Sequence, residues 1–386
     1  MISVDEALQA VFALANPLPP ETVTLREAAG RILAAPVTAK RSQPPFRASV
    51  MDGYAVAGDH QSYTVIGESA AGHAFDGTLN DGEATRIFTG APLPEGANRV
   101  VIQEDVSRDT DRITLSDNAD TQAYIRDIGM DFLEGQTLDA PRRLTPADVA
   151  LAASMNVPEV TVARRPTVAL IATGDELVMP GETPGPDQII ASNTFGLAAM
   201  LETEGALPRL LPIARDTRAS LKATFEMAAT ADLIVTIGGA SVGDHDLVGD
   251  VAADLGMDRA FYKIAMRPGK PLMAGRLKGT PMIGLPGNPV SSMVCGHIFL
   301  RPMLRAMQGL PAAPLARRTA TLTAPIDQNG PREHYMRAHL NGAHITPADR
   351  QDSSLLTVLS GANALILRAP RALSAQAGDL VTFIEF

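Results

Sequence analysis

Three runs of mostly apolar residues, each ending in a polar turn, dominate the middle of the chain. Such runs lack the strict alternation of a half-exposed strand, and they are typical of strands buried on both faces of a parallel sheet. The turns that follow contain glycine, proline, small hydroxyl residues and carboxylates. The runs and their turns are Thr167–Ala172 with Thr173–Leu177, Asp232–Ile237 with Gly238–Asp246, and Met282–Leu285 with Pro286–Ser292.

Helical patterns alternate with these strands. Helices are predicted for Asn193–Glu204, for Thr217–Ala231 with Asp216 as its cap, and for Ser291–Leu304. This alternation predicts right-handed βαβ units and a mainly parallel sheet. In open α/β sheets, ligands bind outside the carboxyl ends of the strands, where glycine allows close approach and helix starts attract anions. The sequence therefore predicts a ligand site at that edge.

The flanking segments have other patterns. Ser3–Leu14 shows helical spacing behind a capping box, and further helices are predicted for Leu25–Ala34 and Thr145–Ser154. Short β-rich runs separated by turn residues fill Met51–Asp139 and return beyond Pro311. The predicted domains are a discontinuous helical domain (1–43 and 140–165), a β-rich insert (44–139), an α/β domain (166–311) and a small terminal β-domain (312–386).

Composition narrows the class of protein. A formal charge of −10, with no basic run, argues against general nucleic-acid binding. Cys295 is the only cysteine, which favours a reducing compartment, and we find neither a secretory signal nor a membrane-spanning run. We therefore expect a cytoplasmic protein. The phosphate-binding Gly-x-x-x-x-Gly-Lys loop and the Gly-x-Gly-x-x-Gly fingerprint are both absent, so ordinary nucleotide hydrolysis and dinucleotide redox chemistry lose support.

Carboxylates at the strand ends are candidates for chemistry. Asp175 and Glu176 follow the first strand, and Asp244 and Asp246 follow the second. Such groups can hold Mg²⁺ or accept hydrogen bonds from a ligand, but Asp also commonly caps a following helix. Hydroxyls raise the same alternatives: Ser241, Ser291 and Ser292 are either phosphate donors or helix caps.

Two proline-containing loops add to the site. Pro286-Gly-Asn-Pro289 surrounds a glycine and an amide with rigid residues, which preorganises a binding surface. Met266–Pro271 places Arg267 and Lys270 in an otherwise acidic protein, so an anionic ligand is the simplest interpretation, although solvated side chains remain an alternative.

Taken together, the motifs resemble those of one family, the molybdopterin molybdenumtransferases, which are related to the E-domain of gephyrin. The resemblance covers nearly the whole chain, and it depends on the order and spacing of many individually weak motifs. They are Pro44–Phe46 with Ser49–Val56, Phe88–Gly96, Gln103-Glu104, Arg126 with Gly129–Asp131, Thr173–Leu177, Gly238–Gly243 with Asp246, Pro268–Pro271 and Leu285–Ser291.

The resemblance implies a transferase that inserts molybdenum from molybdate into adenylylated molybdopterin and releases AMP with the help of Mg²⁺. It implies catalytic roles for Asp52, Asp131, Glu176 and Asp246, with Glu176 and Asp246 as metal ligands. It also implies a substrate-binding set: Thr89, Thr173, Gly174, Asp175, Asp216, Gly238, Gly239, Ser241, Lys263, Arg267, Lys270, Pro286, Gly287, Asn288, Pro289 and Ser291. Lys263, Arg267 and Lys270 would bind anions.

The family fold implies four parts: an elongated helical domain, a β-rich insert, an α/β molybdopterin-binding domain and a C-terminal β-barrel. It also implies a homodimer whose active site lies between subunits, so that Asp52 and Thr89 serve the partner. The molybdopterin adenylyltransferase and the apo-molybdoenzymes are further expected partners. Three departures affect local contacts: Arg47-Ala48 replaces a polar pair, Met130 a glutamate and Arg267 a frequent lysine.

Two other functions compete with this interpretation. A non-catalytic scaffold would resemble the gephyrin E-domain, but this chain lacks an additional N-terminal domain or long linker. A molybdopterin adenylyltransferase would use the α/β domain alone, and the motifs around Asp52 and Thr89 argue against it.

Overall fold

The computed structural model describes residues 1–239 and 247–386, which group into two compact units. One unit contains Met1–Glu21 and Ala163–Phe386, and the other contains Thr22–Val162. None of the helices in these described ranges is long and apolar enough to cross a membrane. The division into four domains stays a prediction.

The first helix, α1 (Val4–Leu14), starts with the predicted capping box, in which Ser3 and Glu6 satisfy each other's backbone groups. Its buried face consists of Val4, Ala7, Leu8, Val11 and Leu14, and these residues lie in the same core as the central α/β sheet.

The unit of residues 22–162 is built mainly from short strands. Its six-stranded sheet has the order β8-β5-β7-β6-β10-β9, and a four-stranded sheet has the order β1-β14-β2-β13. A 3₁₀ turn, Gln103–Asp105, follows β8. The elements are β1 (Pro20–Thr24), α2 (Leu25–Ala28), β2 (Ile32–Leu33), β3 (Val37–Thr38), β4 (Ala48–Ser49), β5 (Gly53–Val56), β6 (Ser62–Ser69), β7 (Glu83–Ile87), β8 (Arg99–Ile102), β9 (Val106–Asp109), β10 (Arg112–Leu115), β11 (Ile125–Arg126), β12 (Thr137–Leu138), β13 (Arg142–Arg143), α3 (Pro146–Ser154) and β14 (Glu159–Ala163).

The helix predicted for Leu25–Ala34 is wrong beyond its first turn. Thr24 and Glu27 form a capping box, but α2 ends at Ala28 and Gly30 follows with φ +77°. Ile32 and Leu33 then pair with Arg143 and Arg142 as strand β2. Pairing with residues distant in sequence therefore outweighs the local helical pattern here.

The central sheet of the other unit has the order β18-β15-β19-β23-β22-β20. The first four strands are parallel, whereas β22 and β20 add antiparallel at one side, where the sequence predicted no strand. The elements are β15 (Thr167–Ala172), β16 (Leu177–Val178), β17 (Ile189–Ile190), α4 (Asn193–Thr203), β18 (Leu207–Leu210), α5 (Arg218–Ala228), β19 (Leu233–Ile237), α6 (Leu247–Asp254), β20 (Met257–Tyr262), β21 (Met266–Arg267), β22 (Met273–Leu277), β23 (Thr280–Leu285), α7 (Pro289–Cys295) and α8 (Arg301–Met307).

Two predicted helices differ in detail. Helix α5 is capped by the Thr217 hydroxyl, which accepts a hydrogen bond from the Ser220 amide, so Asp216 is not its cap. The helix predicted for Ser291–Leu304 begins earlier, at Pro289, and a π-helical turn over Gly296–Leu300 joins α7 to α8. Apart from these differences, the mainly parallel sheet is confirmed.

The C-terminal strands form a closed five-stranded barrel in the order β25-β26-β24-β28-β27, with β27 pairing back on β25. Strand β21 of the α/β segment adds to β25 in parallel register. The barrel elements are β24 (Arg318–Leu322), β25 (Glu333–Asn341), β26 (His344–Pro347), α9 (Leu356–Ser360), β27 (Ala364–Arg368) and β28 (Leu380–Glu385).

Candidate functional site

The three predicted strand ends lie side by side. Strands β15, β19 and β23 are parallel neighbours, and their pairing continues just past the strands. The Thr173 amide donates to the Ile237 carbonyl at 3.0 Å, and the Gly238 amide donates to the Leu285 carbonyl at 3.1 Å. All three turns therefore start from one edge, as predicted.

A cavity of 810 Å³ opens at this edge, within the size range of small-molecule sites. Many of the predicted residues line it. They are Thr173, Gly174, Glu176, Asp216, Gly238, Gly239, Pro286, Gly287, Asn288 and Pro289. The structure thus brings together residues from three separate turns.

Gly174 and Glu176 are packed against each other. A Cβ on Gly174 would lie 2.3 Å from Glu176 Oε2, so the glycine leaves the space that the carboxylate occupies. Gly174 also has φ +145°, which disfavours other residues. The exposed carboxylate of Glu176 therefore lies over the first turn, at the cavity wall.

Backbone conformation and packing both require glycine at positions 238 and 239. Their φ values are +94° and +67°, and a Cβ on Gly239 would lie 2.1 Å from Val248 Cγ2. Because the Gly238 amide is already bonded to Leu285, a ligand anion can be approached here by the backbone of Gly239.

Asp175 stabilises the site without lining the cavity. Its Oδ1 accepts a hydrogen bond from the Asp216 amide at 3.1 Å. The Arg215 guanidinium donates to the carbonyls of Gly174, Asp175 and Leu177 at 3.0–3.3 Å. These contacts join the turn after β15 to the segment before α5 and place Asp216 at the cavity.

The Pro286–Pro289 loop is fixed from two sides. Asn193 Nδ2 donates to the Gly287 carbonyl at 2.7 Å, and Asn288 Nδ2 donates to Ser353 Oγ at 3.1 Å. The Val290 amide also donates to the Ser353 carbonyl. Ser291 is buried at the start of α7 and does not line the cavity.

The basic residues of the segment from Lys263 to Pro271 lie outside the cavity lining. Lys263 has φ +68° and its Nζ lies 4.6 Å from the Tyr262 ring centroid, while the Lys270 carbonyl accepts from the Ile264 amide. Arg267 is exposed and pairs with His334 across β21 and β25. Of this loop, Pro271 reaches the cavity wall.

Positive charge accumulates around His334. Burial most of all, and then the guanidinium groups of Arg267, Arg337, Arg332 and Arg368, together lower the pKa of His334 to about 4. The imidazole is therefore neutral near pH 7, and the net positive charge of this region comes from the arginines.

The remaining predicted residues lie in the unit of residues 22–162 or outside the described residues. Asp52 Oδ1 accepts hydrogen bonds from the Thr89 amide at 2.7 Å and the Thr89 hydroxyl at 2.8 Å. Asp131 instead lines a separate hollow of 500 Å³ with Phe132 and Gln136. Ser241 and Asp246 lie outside the described residues.

The bonds from Thr89 favour the charged form of Asp52. They lower the pKa of the Asp52 carboxyl below its usual value, the amide bond most and the hydroxyl bond next, with a smaller effect from Arg86. The predicted pair of Asp52 and Thr89 is thus a real contact with a charged carboxylate at its centre.

Several cavity residues were not predicted. Ser192, Asn193 and Thr194 come from the start of α4, Asp250 from α6, and Ile189 with Ile190 from β17. The Ser-Asn-Thr sequence at a helix start was an available signal, because small polar residues there leave side chains and amides at the same edge. Asp250, Ile189 and Ile190 do not come directly after a strand of the central sheet, so the pattern used for prediction does not include them.

Comparison with known proteins agrees with this architecture. Residues 2–156 match the model of the MoeA N-terminal region (domain I and II), residues 169–306 that of a probable molybdopterin binding domain, and residues 319–386 that of the MoeA C-terminal region (domain IV). The chain is 37% identical over 359 residues to "Molybdopterin molybdenumtransferase 2" of Mycobacterium tuberculosis, covering 88% of each chain.

Two further similarities cover most of the chain. A "Molybdopterin molybdenumtransferase" of a Nostoc species is 38% identical over 304 residues, which are 75% of this chain and 70% of the relative. The crystal structure of a molybdopterin biosynthesis MoeA protein from Pyrococcus horikoshii superposes with a TM-score of 0.85 at 29% identity, covering 100% of this chain and 99% of that one. The fold is that of a family of multidomain transferases. The chain belongs to the MoeA family, and with it to the proteins of molybdenum cofactor biosynthesis.

The Asp52–Thr89 contact yields a prediction. Thr89→Val keeps the side-chain volume and the backbone amide but removes the hydroxyl donor. We expect the pKa of Asp52 to rise toward its ordinary value, so that the carboxyl takes up its proton at higher pH than in the wild type. Titration of the Asp52 carboxyl carbon by NMR measures this. Thr78→Val, which removes a hydroxyl contact to Glu95 instead, is the control; equal Asp52 pKa values in Thr89→Val and the wild type would contradict the assignment.

Proposed function

We propose that this protein inserts molybdenum from molybdate into adenylylated molybdopterin and releases AMP. The observation that carries the proposal is the 810 Å³ cavity at three adjacent strand ends, with Glu176, Asp216 and Asp250 in its wall, in a chain of the MoeA family. A cytoplasmic location is part of the proposal, since the single cysteine, Cys295, is buried and unpaired.

The chemistry suits a site of this kind. AMP release breaks a phosphoanhydride bond, and such reactions are accelerated mainly by positioning and by neutralising charge on phosphate oxygens. The loop of Pro286–Pro289, fixed by Asn193 and Ser353, supplies rigid positioning. Gly239 allows backbone approach to a phosphate, and Lys263, Arg267 and Lys270 are proposed to bind the anionic groups of the substrates.

The residues present suit a Mg²⁺ ion that is bound partly by protein carboxylates and partly by the substrate. Among the described residues, no three His, Cys, Asp or Glu side chains form a group that could hold a metal. Mg²⁺ commonly binds through one or two carboxylates together with substrate phosphates and water. Glu176 would supply such a carboxylate from the cavity wall, together with Asp246, and the ion would supply neutralisation of phosphate charge.

The experiment that tests the function combines purified protein, adenylylated molybdopterin, Mg²⁺ and molybdate, and measures AMP. We expect AMP release to require molybdate and the divalent cation together, because the substrate phosphates and the cavity carboxylates repel each other without the cation. Chelation should abolish release, and added Mg²⁺ should restore it. Equal release of AMP after full chelation would contradict the proposal.

Glu176 is predicted to act on substrate rather than to stabilise the fold. Glu176→Gln keeps the side-chain size, so the melting temperature should change little, while molybdate-dependent AMP release should fall on the order of a hundredfold. Asp187→Asn, an exposed carboxylate between β16 and β17 that does not line the cavity, is the matched control and should keep the wild-type rate. A lowered melting temperature with a near-normal rate would assign Glu176 a structural role.

We further propose a homodimer in which Asp52 and Thr89 of one subunit complete the site at Glu176 of the other. The support is the hydrogen-bonded pair of Thr89 and the charged Asp52. The contacts described above for residues 22–162 give this carboxylate no catalytic partner.

Mixing two inactive variants tests the shared site. A mixed dimer of Asp52→Asn and Glu176→Gln subunits would contain one site with both changes and one with neither. Random exchange of subunits should therefore restore about a quarter of the wild-type activity. The control is each variant mixed with itself, which should stay inactive. No recovery in dimers verified as mixed would assign both residues to a site within one subunit.

A further inference from the structure

A small ribbon at the cavity wall carries apolar side chains that the proposed chemistry does not use. Strand β16 pairs in parallel with β17, so Leu177 lies beside Ile189 and Val178 beside Ile190. The Ile189 amide donates to the Glu176 carbonyl at 2.8 Å, and the Ala191 amide donates to the Val178 carbonyl at 2.9 Å. Leu177, Ile189 and Ile190 all line the cavity.

The exposure of these side chains is uneven. Val178 and Ala191 are buried at 7% and 4%, so they anchor the ribbon, whereas Ile189 and Ile190 are exposed at 59% and 38%. Leaving two adjacent branched apolar side chains in water is unfavourable, and at a cavity wall such exposure is typical of a surface that a ligand covers.

The ribbon is held in place before any ligand arrives. The Leu177 carbonyl accepts a hydrogen bond from Arg215, and the Glu182 carboxylate accepts from the Met179 amide just after β16. Three residues beyond Ile190, Asn193 is bonded to the Gly287 carbonyl. A preorganised apolar surface loses little entropy on binding, which favours recognition of a rigid ligand group.

The chemistry of the neighbouring wall restricts what that group is. The rest of the lining combines polar groups, at Asn288, Asp216 and the glycine turn, with apolar residues such as Ile237 and Leu247, so the ligand that fits it has both a polar part and an apolar, flat part. Aliphatic side chains contact the face of a planar ring through dispersion and by excluding water.

The geometry points to the β16–β17 ribbon as an apolar platform for a planar heteroaromatic ring of the bound substrate, with Leu177 and Ile189 on one face of the ribbon and Ile190 on the other. This inference rests on the proposed function for the identity of the ligand, which carries two such rings, the adenine and the pterin. The platform contributes affinity, and it orients the phosphate-bearing remainder toward the polar lining.

The double variant Ile189→Thr, Ile190→Thr tests the platform, because threonine keeps the β-branched shape that suits a strand but removes apolar surface. Calorimetry would compare three probes: AMP, molybdopterin, and ribose 5-phosphate, which has the sugar and phosphate but no ring. Leu207→Thr is the matched control, since Leu207 is 47% exposed on β18 but pairs with Thr167 at the opposite end of β15.

We expect the double variant to weaken binding of at least one ring-bearing probe on the order of tenfold, and to bind ribose 5-phosphate as the wild type does. A loss confined to AMP identifies the adenine as the ring on the platform, and a loss confined to molybdopterin identifies the pterin. Unchanged affinity for both, or an equal loss for ribose 5-phosphate, overturns the platform alone. A wild-type protein that binds neither AMP nor molybdopterin overturns both the platform and the proposed function.

Discussion

The pairing of three parallel strands beyond their last regular residues is the constraint on which the rest of the site depends. The Thr173 and Gly238 amides continue the ladder into the turns, so each turn starts at a fixed height above the sheet. Little room remains there: a side chain on Gly174 would meet Glu176, and one on Gly239 would meet Val248. Backbone pairing thus places the starts of the turns side by side, and the absence of a side chain on Gly174 leaves space for the Glu176 carboxylate above the first of them.

Much of the fold follows from local patterns. The apolar runs identified β15, β19 and β23 because strands buried on both faces need no alternation, and the capping box at Ser3 located α1. Other elements depend on partners distant in sequence. The local pattern at Ile32 and Leu33 favours a helix, but these residues form a strand because they pair with β13. Strand β22 adds to the edge of the sheet at β23, and β20 adds to β22. No window of sequence around those residues contains that information.

The same distinction between local patterns and distant contacts decides which residues of the candidate site could be predicted. Residues directly after strands were found, since parallel topology gathers them at one edge. Asn193, Asp250 and Ile189 were missed because they arrive at the cavity from helix starts and a ribbon whose position depends on three-dimensional contacts. Conversely, Asp175 and Ser291 have the right sequence positions, yet one accepts from a backbone amide and the other is buried in α7. The position of a residue along the chain predicts which edge of the sheet it lies at, but packing decides whether its side chain points into the cavity.

The core that joins α1, the central sheet and the barrel has a consequence for how this protein can evolve. Val4 of α1, Val168 of β15 and Tyr335 of β25 belong to one continuous hydrophobic cluster. Strand β21 is completed by β25, and the Pro286–Pro289 loop is held in part by Ser353. Recombination between relatives could therefore not exchange the C-terminal barrel without also changing the segments that it contacts. A substitute barrel would have to reproduce the strand edge, the buried side chains and the serine together, so we expect sequence change on the two sides of this junction to be correlated.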